Sequence, residues 1–303
     1  MAMVLVPYPT MLKHSGEKHA HGARSVLPTC RMTAMESGHG HREHRCRGLR
    51  SARRLHFHPQ VRVERPLQLN QTPNLGHMPV AFRSASPKGP PKISILCYGD
   101  SLTAGFCQQG RKFEPYGRTL ATALGQLLQT PCEVLVCGHS GHTASQMVAN
   151  LDARAVTDVG GQVGKGLRRS LQESPRIDLV LLMTGTNDIG KSVEPNVILE
   201  DIIKLHEVCQ QHGVASAALS PPPIPSDAFA EANRRRLRDL TAMWSSAAAN
   251  VRAFIDPGHF IPANAANAWD PDRLHFSPAG SQLLGQQLAR TVLPVLRQVR
   301  DLP

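Results

Sequence analysis

From Ile93 onward the chain alternates short, mainly apolar runs with longer amphipathic stretches, and this alternation limits the fold more than any other feature. Ile93–Tyr98, Glu133–Cys137, Leu179–Met183, Val214–Leu219 and Val251–Ile255 are short runs made mainly of apolar residues, which predicts five strands, the first two of them buried. Between them, Tyr116–Gln129 carries Leu120, Leu124, Leu127 and Leu128 at helical spacing, and Val197–His212 carries Ile198, Ile202, Leu205 and Val208. Val163–Leu171 reads as a short helix and Ala228–Ala248 as a long one. A last helix begins at Pro278, where proline is tolerated, and runs to about Val299. Strands buried on both faces and alternating with helices argue for a parallel sheet covered on its two sides.

In such sheets ligands bind at the carboxyl ends of the strands. Those ends carry polar clusters: Gly99-Asp100-Ser101 after the first strand, Gly138-His139-Ser140-Gly141 after the second, and Gly185-Thr186-Asn187-Asp188 after the third. Asp270-Pro271-Asp272-Arg273-Leu274-His275 follows the fifth. A serine hydroxyl becomes a useful nucleophile only beside a base that is itself oriented by a third group. Asp272 and His275, three residues apart, can meet in one tight turn and leave the far imidazole nitrogen for Ser101. Backbone N–H groups at Ser101 and Gly141, with the Asn187 side chain, could receive a developing oxyanion. Each piece alone also reads as a turn or a helix cap.

Together, Ile95-Leu-Cys-Tyr-Gly99-Asp100-Ser101-Leu102-Thr-Ala-Gly, Gly141, Gly185-Thr-Asn187-Asp188 and Asp272-Arg-Leu-His275-Phe-Ser-Pro-Ala-Gly resemble the four blocks of the GDSL, or SGNH, esterases and lipases. The similarity spans about residues 93–299. It implies a three-layer α/β/α sandwich around a flavodoxin-like five-stranded parallel sheet, with no metal or cofactor. It implies Ser101 as nucleophile, His275 as base and Asp272 as its orienting group. The oxyanion donors would be the Ser101 and Gly141 amides and the Asn187 side chain. The family's second block often has Asn where Val136 stands, a supporting position. The expected reaction is hydrolysis of a small carboxylic ester, either a simple acyl ester or a lysophospholipid-like lipid. Deacetylation of a carbohydrate with the same residues is the alternative within the class, and a noncatalytic ligand- or partner-binding member is the alternative outside it. His139 and His142 read as loop or pocket-rim residues. Asp100 and Asp188 read as braces of turns, Arg234-Arg235-Arg236 as a solvated helix face, and Asn150–Gly166 and Ser220–Ala228 as pocket walls.

The net charge of +11 lies entirely in residues 1–92, which hold 15 Lys and Arg against 4 Asp and Glu; the remainder is neutral. The basic balance is therefore no argument for nucleic-acid binding by the downstream part. Residues 1–92 are rich in His, Arg and Pro without periodicity, so a disordered extension is expected, followed by a linker over Ser84–Pro91. It reads as a targeting presequence, a His tract, a basic arm, or an extension without function. The seven cysteines show no CxxC spacing and include several in strand contexts; buried free thiols and a reducing, intracellular compartment follow. No run of about 18 apolar residues is present, so no transmembrane helix is expected.

Overall fold

The computed structural model describes residues 78–84, 93–174, 176–224 and 226–300. The strands are β1 (Val80–Arg83), β2 (Ile93–Gly99), β3 (Phe106–Cys107), β4 (Lys112–Phe113), β5 (Cys132–Gly138), β6 (Val156–Thr157), β7 (Val163–Gly164), β8 (Leu179–Met183), β9 (Ala215–Leu219) and β10 (Val251–Ile255). The helices are α1 (Ser101–Ala104), α2 (Tyr116–Leu128), α3 (Ala144–Ala149), α4 (Leu167–Glu173), α5 (Thr186–Gly190), α6 (Pro195–Gln211), α7 (Ala228–Ala247) and α8 (Pro278–Arg300).

Six strands form one sheet in the order β1-β5-β2-β8-β9-β10. The five strands from β5 to β10 are parallel, and β3–β4 and β6–β7 are separate two-residue hairpins. β2 sits inside the sheet and is buried at every residue. Its alternate side chains serve two layers. Ile93, Ile95 and Cys97 join the layer holding Leu120 and Leu124 of α2 and Leu284, Leu288 and Val292 of α8. Leu96 and Tyr98 join the layer holding Leu167 of α4 and Leu205 and Cys209 of α6. Burying apolar area on both faces is the main term that stabilises such a sheet. This is the three-layer α/β/α arrangement expected.

Three expectations need correction. The sheet has a sixth strand: β1 runs antiparallel to β5 in register Val80↔Val136, so residues 78–84 belong to the folded domain and not to a loose extension. Its four residues alternate between half-buried and exposed, which is edge-strand behaviour that a short segment in polar surroundings does not advertise. Ser84, read as the start of a linker, closes the strand: its N–H donates to the Cys132 carbonyl at 3.0 Å. The other expectations for residues 1–92, with Cys30 and Cys46, lie outside the described residues. Second, Val163 is a strand residue paired with Thr157, and the helix starts only at Leu167, because Gly164 and Gly166 interrupt the helical pattern. Third, Arg234 is not solvated. It is 3% exposed and bonds Glu231 at 3.0 Å, while Arg235 and Arg236 do face water.

Cys97, Cys107, Cys132, Cys137 and Cys209 are free and buried. Burial pushes the Cys97 and Cys209 thiols up to about 12 and Cys137 to about 11, which keeps them as unreactive apolar groups. Among the described residues, no helix is long and apolar enough to cross a membrane.

Candidate active site

Ser101 is the first residue of α1, a single turn set directly on the end of β2. Asp100 caps that turn: its Oδ1 accepts the Leu102 N–H at 3.0 Å. The turn fits only because the strand ends around it lack side chains. A Cβ on Gly99 would lie 2.0 Å from the Met183 carbonyl oxygen, and one on Gly138 would lie 2.2 Å from the Ala104 nitrogen. Asp100 is fully buried, and desolvation pushes its carboxyl up to about 7 against the pull of the Leu102 amide, with the Asp188 charge adding to the rise.

His275 and Asp272 come from the loop between β10 and α8. Asp270 closes this loop on itself, donating its N–H to the His275 carbonyl at 2.8 Å and accepting the Arg273 N–H at 2.9 Å. Arg273 takes the left-handed conformation (φ 55°) that the tight turn requires. Leu274 packs into the apolar cluster of α5, α6 and α7, while Phe276 packs on Trp269 in the main core with ring centroids 5.2 Å apart. His275, between these two anchors, is aimed at α1. Its Nε2 lies 2.9 Å from Ser101 Oγ, and its Nδ1 lies 2.8 Å from Asp272 Oδ2. Asp272 Oδ1 also accepts the Leu274 and His275 amides at 2.9 and 3.0 Å. Partial burial pushes the Asp272 carboxyl up, but the bonds from the His275 amide and ring and the Leu274 amide outweigh it, and the net shift is downward. With Nδ1–H donated to that carboxylate, Nε2 is the acceptor for the serine hydroxyl.

Gly141 and Asn187 follow the carboxyl ends of β5 and β8. Gly141 holds φ 77°, which favours glycine, and a Cβ there would lie 2.7 Å from a methyl of the exposed Val159. Neither the Ser101 nor the Gly141 amide has an acceptor among the described residues. Asn187, in α5, donates one Nδ2 hydrogen to the His142 carbonyl at 2.9 Å, leaving its second N–H for another acceptor. Asp188 accepts the Ala144 amide at 3.0 Å, so Asp100 and Asp188 brace turns as expected.

His139 is not a rim residue. It is buried, and its Nε2 donates to the Lys165 carbonyl at 3.1 Å. Burial, with His142 stacked on it at 5.5 Å, holds the imidazole down at about 4. Asp158, which the motifs do not mark, organises the loop around Gly141. Its carboxylate accepts the Ser140, Gly160 and Gln162 amides, each at 2.9 Å, and ties the β6–β7 hairpin to the Gly141 turn. Asp270, in the last polar cluster, and Phe106, outside all four, take their place at the site through contacts 162 and 169 positions away. The Asp270 carboxylate accepts the Gln108 amide, and the Phe106 ring lies 4.6 Å from the His275 ring. Among the described residues no group of three His, Cys, Asp or Glu side chains is placed to hold a metal ion.

A serine, an oriented imidazole and unbonded amides at the strand ends are the parts acyl transfer needs. The model of the GDSL-like lipase/acylhydrolase family matches residues 97–283, which takes in all four polar clusters. The chain belongs to that family. Solved structures share its architecture. A carbohydrate acetylesterase family member from Sinorhizobium meliloti is 20% identical with a TM-score of 0.51, over 69% of this chain and 100% of its own. An aryl esterase from M. smegmatis is 24% identical with a TM-score of 0.51, over 70% of this chain and 100% of its own. A lipase from a goat rumen metagenome is 17% identical with a TM-score of 0.52, over 66% of this chain and 97% of its own. At these identities the likeness is one of fold. Comparison with curated proteins by sequence finds no match.

Proposed function

We propose that this GDSL-family chain is a serine esterase that hydrolyses carboxylic esters through an acyl-enzyme. The observation that carries the reading is the continuous path from Ser101 Oγ to His275 Nε2 (2.9 Å) and from His275 Nδ1 to Asp272 Oδ2 (2.8 Å). Ser101 attacks the ester carbonyl while His275 takes the hydroxyl proton, and Asp272 holds the ring and favours the imidazolium. The carbonyl oxygen, now negative, is received by the Ser101 and Gly141 amides and the second Asn187 N–H. His275 returns the proton to the leaving alcohol, and water repeats the sequence to release the acid. The side-chain positions support these roles because no other imidazole among the described residues bonds a serine at a strand end. His206 bonds Ser216, but that pair is fully buried at the start of β9.

The test is hydrolysis of p-nitrophenyl acetate together with labelling by a fluorophosphonate. The unmodified chain should release p-nitrophenol and take the label at Ser101, and Ser101→Ala should do neither. Full activity in Ser101→Ala overturns the assignment. Acetylated xylan in the same assay separates a simple esterase from a carbohydrate deacetylase.

A further inference from the structure

Apolar side chains run from the His275 ring to the Gly141 turn. The half-buried Phe106 ring lies on the His275 imidazole, with centroids 4.6 Å apart and planes at 45°. Phe113 meets Phe106 edge-on at 5.8 Å and 88°. A Cβ on Gly160 would lie 3.9 Å from the Phe113 ring, and the neighbouring Val159, 79% exposed, reaches the Gly141 turn. The wall therefore runs Phe106, Phe113, Gly160, Val159.

Both hairpins that build the wall are fixed to the site. Gln108 and Gln109 at the tip of the β3–β4 hairpin both take left-handed conformations (φ 51° and 57°), and the Gln108 amide is held by the Asp270 carboxylate, two residues before Asp272. Left-handed glutamines persist only where surrounding contacts impose them. The β6–β7 hairpin is held by Asp158, as described above, and by the Val159 N–H on the Ser140 carbonyl at 3.2 Å. These bonds tie the two hairpins to the His275 loop and to the Gly141 turn.

We propose that this wall is the subsite for the alcohol part of the substrate, and that it selects esters of flat apolar alcohols over small or hydroxyl-rich ones. The inference rests on the esterase reading. In that reaction the imidazole returns its proton to the leaving oxygen, so the first atoms of the alcohol lie beside His275 and meet Phe106. An aromatic ring there gains offset or edge-on contact with Phe106. A sugar would set its hydroxyls against rings and methyls, and would lose by desolvation wherever they meet no hydrogen-bond partner.

The experiment keeps the acyl group constant and compares 2-phenylethyl acetate with ethyl acetate, alcohols of similar acidity, on the full chain. The unmodified protein should favour the phenylethyl ester. Phe106→Ala should reduce the ratio of the two kcat/KM values by about tenfold, mainly through KM, as expected for loss of an apolar contact in a pocket. Phe106→Leu should restore part of the ratio. Val159→Ser, at an exposed position that leaves the core intact, should reduce it in the same direction. 2-Phenylethanol should slow fluorophosphonate labelling of the unmodified protein and not of Phe106→Ala. An unchanged ratio in all three variants, or an equal fall for both esters, overturns the subsite while labelling still supports the esterase. Absence of labelling in the unmodified protein overturns the esterase reading, and the subsite with it.

Discussion

Gly138→Ala places one methyl group at the contact on which the candidate site depends. The new Cβ would sit 2.2 Å from the Ala104 nitrogen, 2.6 Å from its Cα and 2.7 Å from its Cβ. Ordinary carbon contacts are about 3.5 Å, so about 1.3 Å must be found. Two of the three atoms are backbone, and β5 is locked between β1 and β2. The single turn α1 is the part that can yield, and Ser101 is its first residue. A displacement of that size takes Ser101 Oγ out of hydrogen-bond range of His275, now 2.9 Å away. Misplacement by about 1 Å costs about 10²-fold in rate, or about 2.7 kcal/mol of barrier. Overpacking should cost about 1–3 kcal/mol of stability, and each kcal/mol lowers Tm by about 2–4 °C in a domain of this size. The assay is kcat/KM on p-nitrophenyl acetate with a thermal melt of the same sample. Gly190→Ala is the control, since a Cβ there meets nothing within 4 Å; it should keep both activity and Tm. A folded Gly138→Ala protein with unaltered kcat/KM would refute the reasoning, because the serine turn would then not depend on that contact.

Asn187→Ala should lower kcat on p-nitrophenyl acetate by about 10²–10³ with KM little changed, since the amide is assigned to the oxyanion and not to the bound ester; a change confined to KM would remove that role. Arg234 is buried between Glu231 and Asp256, at 3.0 and 3.5 Å, so Arg234→Ala should cost about 3–5 kcal/mol in urea unfolding. Arg235→Ala, on the exposed side of the same helix, should cost less than about 1 kcal/mol. Burial holds His206 down at about 3. The unfolded chain binds that proton near pH 6.5 and the folded chain does not, so stability falls as pH drops from about 6.5 towards 3, by up to about 1.4 kcal/mol per unit. His206→Gln should flatten the stability profile between pH 6 and 4 by that amount, and an unchanged slope would mean the imidazole is protonated in the fold.

Much of this protein was legible in its residues because periodicity is local. Strand β10 matches its apolar run at both ends, and helices α2, α6, α7 and α8 fall within two residues of their apolar stripes, because burial of one face decides those elements without reference to distant parts. Asp272 and His275 could be paired from spacing, since three residues in a turn bring two side chains together. Val80–Arg83 was not legible. A four-residue edge strand is defined by its partner β5, 50 positions later, and not by its own pattern.

The residues 93–299 therefore carry, in order alone, the layered α/β/α class and the polar clusters at four strand ends. Tertiary structure decided which of those clusters meet and what encloses them. It brought Ser101 to His275 across 174 positions. It buried His139 and Arg234, which read as rim and solvated face. It also set Phe106 and Val159, on two separate hairpins, along one wall of the site. The physical reason is range: backbone propensity and side-chain period act over one or two turns. Close approach at Gly99 and Gly138, and the burial of a charge or ring, depend on what the rest of the chain packs against them.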